Sequence, residues 1–491
     1  MRQSLYKKSM SSQTQTIRNQ TAPKGRGRGR GDLTSGSVTA HLLKMGLPMA
    51  WGILAIISFQ LADIFFVGKL GPDQLAALSF TIPVTMTVFS LSLGLIIATS
   101  SVLSRLIGEK SEDMVLRIAT HALFFAFTFG AIMAAVGVAT LEPVFRLLGA
   151  NDTMMPYIRE YMLIWFPANI FAMIPMVGNA AIRANGNAMY PAIIMTLVSV
   201  VNIILDPLLI FGLWGFPEMG IRGAAIATAS ANILAMLAAL YMLGFHMRIL
   251  RLRPFYFNKL GDSLKRLAFI AVPAGITSTI QPITNAVIIA LLAGYSTEAV
   301  AAYGIVSRVE AFAFVVLMGL AGGMAPILGQ NYGAKNYDRV FETLKKALSF
   351  SAIWAVIVAI ILGFGAKAIT GVFTNDPTII HTAALYFWIV PVSYITANLV
   401  SGWSSAFNAL GMPQRSAGMI FVKYILVQIP AIYVGAHFYG VIGIFVAIAM
   451  VNFFVGLFLH VISWFSCKKL CNKNRPTTHD GAHDSAQDAA Q

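Results

Sequence analysis

The residues with most chemical promise lie in one stretch, SVVNIILDPLLIFG, at 199–212. Asn202 and Asp206 are four residues apart, so a helix puts them on one face. Pro207 follows at once and has no N–H, so the carbonyl of Ile203 loses its helical partner. An amide, a carboxylate and a freed carbonyl thus sit together in an apolar run. In hydrocarbon a central Asp costs about 2.5–3.5 kcal/mol on insertion scales, and an acid kept there points to an ion or proton site. The alternative is a polar residue that only bonds across helices.

Few other polar groups occupy apolar surroundings. Asp63 lies near the end of the first apolar segment, with Gln60 one turn before it, and Thr228 lies in the sixth. If Asp63 and Asp206 converge, burial and mutual repulsion favour taking up a proton. The same oxygens also suit a hard cation such as Na⁺. Thr228 has a second reading, since Thr often bonds its own helix backbone. In the second half, Arg308, Glu310 and Lys423 are the charged residues within spans. Residues two apart do not share a helix face, so Glu310 is expected to pair with Lys423 rather than Arg308. That pair is either structural or gating, or it contacts substrate directly. Gln60 and Gln281 are expected to face a cleft. Pockets lined by Phe and Met adapt to many shapes, although most of these residues simply pack or face lipid.

The elements that carry these residues are membrane helices. The chain has 491 residues, 57% hydrophobic and 11% charged, with mean hydropathy +0.72. Soluble domains run to about 25% charged. Twelve apolar segments, each long enough to span a bilayer, are expected near 43–67, 75–104, 118–141, 157–182, 190–213, 221–246, 267–293, 299–330, 347–370, 379–409, 417–436 and 440–466. The expected organisation is a basic tail at 1–40 and a first bundle at 41–246. A basic linker at 247–266, a second bundle at 267–466 and a polar tail at 467–491 follow. The fold class is all-α and polytopic, in two pseudo-symmetric six-helix bundles. No apolar stretch precedes the tail, so no cleavable signal is expected. The run GRGRGRG at 25–31 reads as a positive-inside anchor rather than a nucleic-acid site. Most of the 35 Lys and Arg fall on one side of these spans. The other side holds only Lys69, Arg146, Arg159, Arg222 and Lys367, so both termini are expected in the cytoplasm.

The halves repeat. At a shift of 225, Pro48 meets Pro273, Gly94 meets Gly319, Gly108 and Lys110 meet Gly333 and Lys335, and Tyr161 meets Tyr386. Towards the end the shift becomes 220, and Gly220, Gly223 and Asn232 meet Gly440, Gly443 and Asn452. Six spans is an even number, so the halves share one orientation about an axis along the membrane normal. Asp63 falls on Ile288, and Asp206 finds no acid. The carboxylate pair is therefore expected in the first half alone, at roughly 6–12 Å below the boundary at about 1.5 Å per residue.

No nucleophile elbow, zinc-protease or ATP-binding motif is present. Cys467 and Cys471 have no second ligand pair and carry no special expected role.

These segments resemble the multidrug and toxic compound extrusion (MATE) transporters over about 40–466. The carriers are LPMAWGILAIISFQLADIFFVGKLGPDQLAAL at 47–78, AAIRANGNAMYP at 180–191, VNIILDPLLIFG at 201–212 and MGIRGAAIAT at 219–228. The resemblance implies a V of two bundles and export of cationic or amphipathic compounds against inward H⁺ or Na⁺, with no cofactor. In its DinF-like branch, Asp63, Asn202, Asp206 and Thr228 match ion-site residues. Ala224 matches a carbonyl ligand and Pro48 a first-helix bending point. Asn179 matches a fourth-helix cavity residue, read here as substrate lining. The NorM branch has a Glu where this chain has Gln281. The reading is a bacterial inner-membrane multidrug antiporter, monomeric, neither an enzyme nor a scaffold. The rival is a lipid-linked oligosaccharide flippase, which usually has more helices and a cationic cavity.

Overall fold

The computed structural model describes residues 31–250 and 259–473. The Arg-Gly run, part of the basic linker and the polar tail with His479 and His483 lie outside the described residues.

The helices follow local signals. α1 (Val38–Gly68) starts at Ser37, whose hydroxyl accepts the Ala40 N–H, and runs unbroken through Pro48. α2 (Pro72–Gly108) opens with proline at its first turn, where the missing N–H is harmless. α3 (Glu112–Ala139) and α4 (Met155–Ala184) follow. Asn187 accepts the N–H groups of Met189 and Tyr190 and so starts α5 (Met189–Phe211). α5 passes through Pro207 and stops at Gly212 in the left-handed conformation. α6 spans Ile221–Tyr241 and α7 Leu260–Ala293. α8 has two pieces, Thr297–Ala313 and Val315–Gly333, bent by 46°. The Trp354 indole takes up the Ala313 carbonyl at the bend, at 2.9 Å. α9 is Tyr337–Gly371, and α10 joins Pro377–Ile389 to Tyr394–Ala409. α11 begins as Pro413–Phe421 and widens into a π-helix at Val422–Gln428. The helix then continues until Gly440 breaks it (φ 59°, ψ −139°), and 441–473 form α12.

Ten described helices are individually long and apolar enough to cross a membrane, and the bent α8 adds another. The break at Gly440 splits the longest run, giving the twelve spans expected. Several helices exceed the expected spans because their polar ends, such as Arg105 in α2 and Asp262 in α7, continue helically beyond the apolar part.

The repeat is visible in the backbone. Gly220 has φ 55° and ψ −134°, nearly the values of Gly440, in a region essentially reserved for glycine. Lys110 and Lys335 both adopt positive φ, 58° and 57°. Packing repeats too, but crosswise. Leu42 and Met45 of α1 pack with Leu317, Leu320 and Met324 of the second half. Their counterparts Leu267 and Ile270 of α7 pack with Leu103, Leu106 and Ile118 of the first half. Each bundle's first helix thus completes the other bundle's core at the end bearing the N-terminus.

That end is also tied by polar contacts. The Gly31 N–H donates to Asn185 O, and the Leu33 N–H donates to Gln330 Oε1 at 3.1 Å. Gln330 Nε2 donates to Ala184 O at 2.9 Å. Arg339 donates to the carbonyls of Gly36 and Ser35. The segment after Arg30 therefore straps both bundles together.

Candidate functional site

α1, α5 and α6 bring four of the expected residues together. Asp206 and Asn202 on α5 are 0% and 1% exposed. Asn202 Nδ2 lies 3.1 Å from Thr228 Oγ1 on α6. The opposite amide orientation satisfies more groups. Its nitrogen then donates to Asp206 Oδ2 at 2.9 Å, and its oxygen accepts from the Thr228 hydroxyl at 3.1 Å and the Thr228 N–H at 3.3 Å. That N–H is the ordinary helical donor of Ala224, so the Ala224 carbonyl shares it. Asp63 reaches this group from α1, near enough for Asp206 to sense its charge. Asp63 Oδ1 and Asp206 Oδ1 are both buried without a hydrogen-bond partner. Buried carboxylate oxygens ordinarily have partners, and these two remain able to accept one. Its oxygens fit a proton, and its hard donor set also fits Na⁺.

One residue was missed. Tyr161 on α4 lies within reach of the charges of both carboxylates. The repeat carried the signal, because its counterpart Tyr386 meets an acid in the second bundle. There Glu310 Oε1 accepts from the hydroxyls of Tyr386 at 3.0 Å and Tyr394 at 2.5 Å.

This corrects the expected charge pair. Glu310 and Lys423 line one cavity, but among the described residues no ion pair joins them. Two tyrosine hydroxyls solvate the carboxylate instead. Arg308 is exposed and outside that cavity. The cavity holds about 460 Å³, and Gln281 lines it. Gln60 is exposed on α1. Asn179 is buried in the first bundle, its Oδ1 without a partner, and it does not line this cavity. Pro48 sits among the α1 residues packed on the second bundle, between Met45 and Met49.

The comparisons agree with this architecture. The MatE family model matches residues 48–208 and 273–434, two segments that begin on the paired prolines. A FAD transporter of Shewanella oneidensis is 35% identical over 92% of this chain and 99% of that protein. The multidrug export protein MepA of Staphylococcus aureus is 25% identical over 82% of this chain and 88% of that protein. The Vibrio cholerae MATE transporter VcmN in its bent form superposes with TM-score 0.83 at 28% identity, over 89% and 98% of the two chains. Such proteins are ion-coupled transporters rather than enzymes and need no cofactor. The duplicated six-helix halves, the matched segments and these relatives together make this chain a member of the MATE transporter family.

Proposed function

We propose that this chain is an inner-membrane antiporter that exports small amphipathic compounds, cationic ones included, in exchange for inward H⁺. It acts as a monomer with both termini in the cytoplasm. The single observation that carries the reading is the pair of buried carboxylate oxygens, Asp63 Oδ1 and Asp206 Oδ1, that no group among the described residues satisfies. One proton shared between them removes most of the cost of holding two acids in a dry site. Asn202 donating to Asp206 Oδ2 leaves the second oxygen for that proton. The nitrogen of this amide faces the carboxylate, which disfavours a cation on that side, so H⁺ fits better than Na⁺.

The test is ethidium efflux from vesicles under an imposed pH gradient, with and without Na⁺. Efflux driven by the proton gradient alone, and lost in Asp63→Asn with normal expression, supports the reading. Full efflux by Asp63→Asn sinks it. Dependence on Na⁺ alone replaces H⁺ as the coupling ion.

A second reading concerns the substrate. The 35% identical relative is named a FAD transporter, so an anionic flavin nucleotide is a candidate cargo for this chain.

A further inference from the structure

The cavity of the second bundle contains a lysine that pairs with no acid among the described residues. Lys423 is 1% exposed, and among the described residues it forms no ion pair. Its Nζ stands 4.9 Å from the centroid of the Tyr424 ring. An ammonium over an aromatic face is attracted to it, but a neutral ring does not supply a counter-charge. Glu310, the acid in the same cavity, accepts from two tyrosine hydroxyls rather than from Lys423.

The backbone is built to hold Lys423 there. It sits at the start of the π-helical turn Val422–Gln428, a local widening frequently found at functional sites. Pro430 lies just beyond and has no N–H to give to the preceding turn. At the other end of this turn, Gln428 Oε1 is buried without a partner among the described residues, and Gln428 lines the same cavity. Aromatic walls come from Tyr303, Phe314 and Tyr424. The volume of about 460 Å³ lies within the usual range for small-molecule sites.

We propose that this cavity is a binding site for aromatic compounds bearing a carboxylate or phosphate, with that anionic group seated on Lys423. The inference rests on the exporter reading and adds an anionic class to its substrates. The ligand's anion supplies the missing counter-charge, and its ring packs against the aromatic wall.

Equilibrium binding tests this in the full chain in lipid nanodiscs, with no ion gradient, so its failure is separable from failure of antiport. Flavin mononucleotide carries a phosphate, and riboflavin is the same ring system without one. Flavin fluorescence polarisation should show the mononucleotide binding more tightly than riboflavin. Lys423→Gln should weaken the mononucleotide by about tenfold or more and riboflavin by less than about twofold. Lys423→Arg should restore most of the difference. Should Lys423→Gln not yield monodisperse protein, Lys423→Met is measured with the same two ligands. Equal binding of the two flavins by the native protein, or an equal loss of both in the variant, overturns the proposal. Failure of the native protein to bind either flavin overturns it as well.

Discussion

Gly94 and Gly319, 225 residues apart, occupy equivalent places in the contact between the two bundles. A side chain at Gly94 would collide with the carbonyl of Ala271, and one at Gly319 would lie 2.6 Å from the backbone nitrogen of Ala50. Ala271 and Gly275 are themselves the counterparts of Gly46 and Ala50 under the same shift. The two bundles approach backbone to backbone through one contact used twice. Small residues allow such close approach between membrane helices.

Gly319→Ala should therefore destabilise the protein by about 1–3 kcal/mol through overpacking. Gly94→Ala should behave alike. Gly363→Ala is the control, because nothing lies within 4 Å of a Cβ built there. Thermal unfolding of purified protein in detergent should show lowered midpoints for the first two and little change for the third.

Asn202→Ala removes the amide that joins α5 to α6 while leaving both carboxylates in place. Hydrogen bonds to charged groups contribute about 1.5–3 kcal/mol. Proton-driven ethidium efflux should fall by roughly tenfold or more with protein levels unchanged. Native transport rates in Asn202→Ala would show that the amide does not organise the carboxylates.

Glu310→Gln keeps an oxygen that accepts from Tyr386 and Tyr394, so its melting temperature should stay near that of the native protein. Glu310→Ala leaves two hydroxyls without their acceptor, at about 1–3 kcal/mol for each buried group left unsatisfied. A clear drop in melting temperature for Ala but not Gln is the expected pattern.

Gln330→Ala cuts the strap at its centre, since Gln330 joins Leu33 to Ala184. Amide exchange followed by mass spectrometry should quicken across 31–36 and 184–187. Exchange in the halves of α9 and α10 remote from the strap should stay as it was. Unchanged exchange in the strap would show that its remaining contacts, from Arg339, Asn331 and Asn185, hold it without Gln330.

Much of the fold was legible because hydropathy, loop charge and the repeat all read the same twelve segments. Bends were less so. The break in α8 depends on Trp354 reaching the Ala313 carbonyl, a contact over 41 residues that local pattern does not encode. At the site, span depth placed Asp63 and Asp206 in one layer. It did not show that they converge, because the rotation of each helix about its axis is set by packing. Tyr161 escaped notice because tyrosines near span ends commonly mark the membrane interface. The expected pairing of Glu310 with Lys423 failed for a related reason. Charge arithmetic considers only ionised partners, and tyrosine hydroxyls also donate to carboxylates.

α1 belongs to both bundles at once. Its N-terminal end is embedded in the second bundle through Leu42, Met45 and Met49, and its C-terminal end carries Asp63 towards Asp206 in the first. It is one continuous helix of 31 residues, roughly 46 Å long at about 1.5 Å per residue. Mechanically it is a lever arm with Pro48 beside the clamped end. On the proposed function, an ion held at the tip would act on the opposite bundle through this single rod, and the second bundle would need no carboxylate pair of its own.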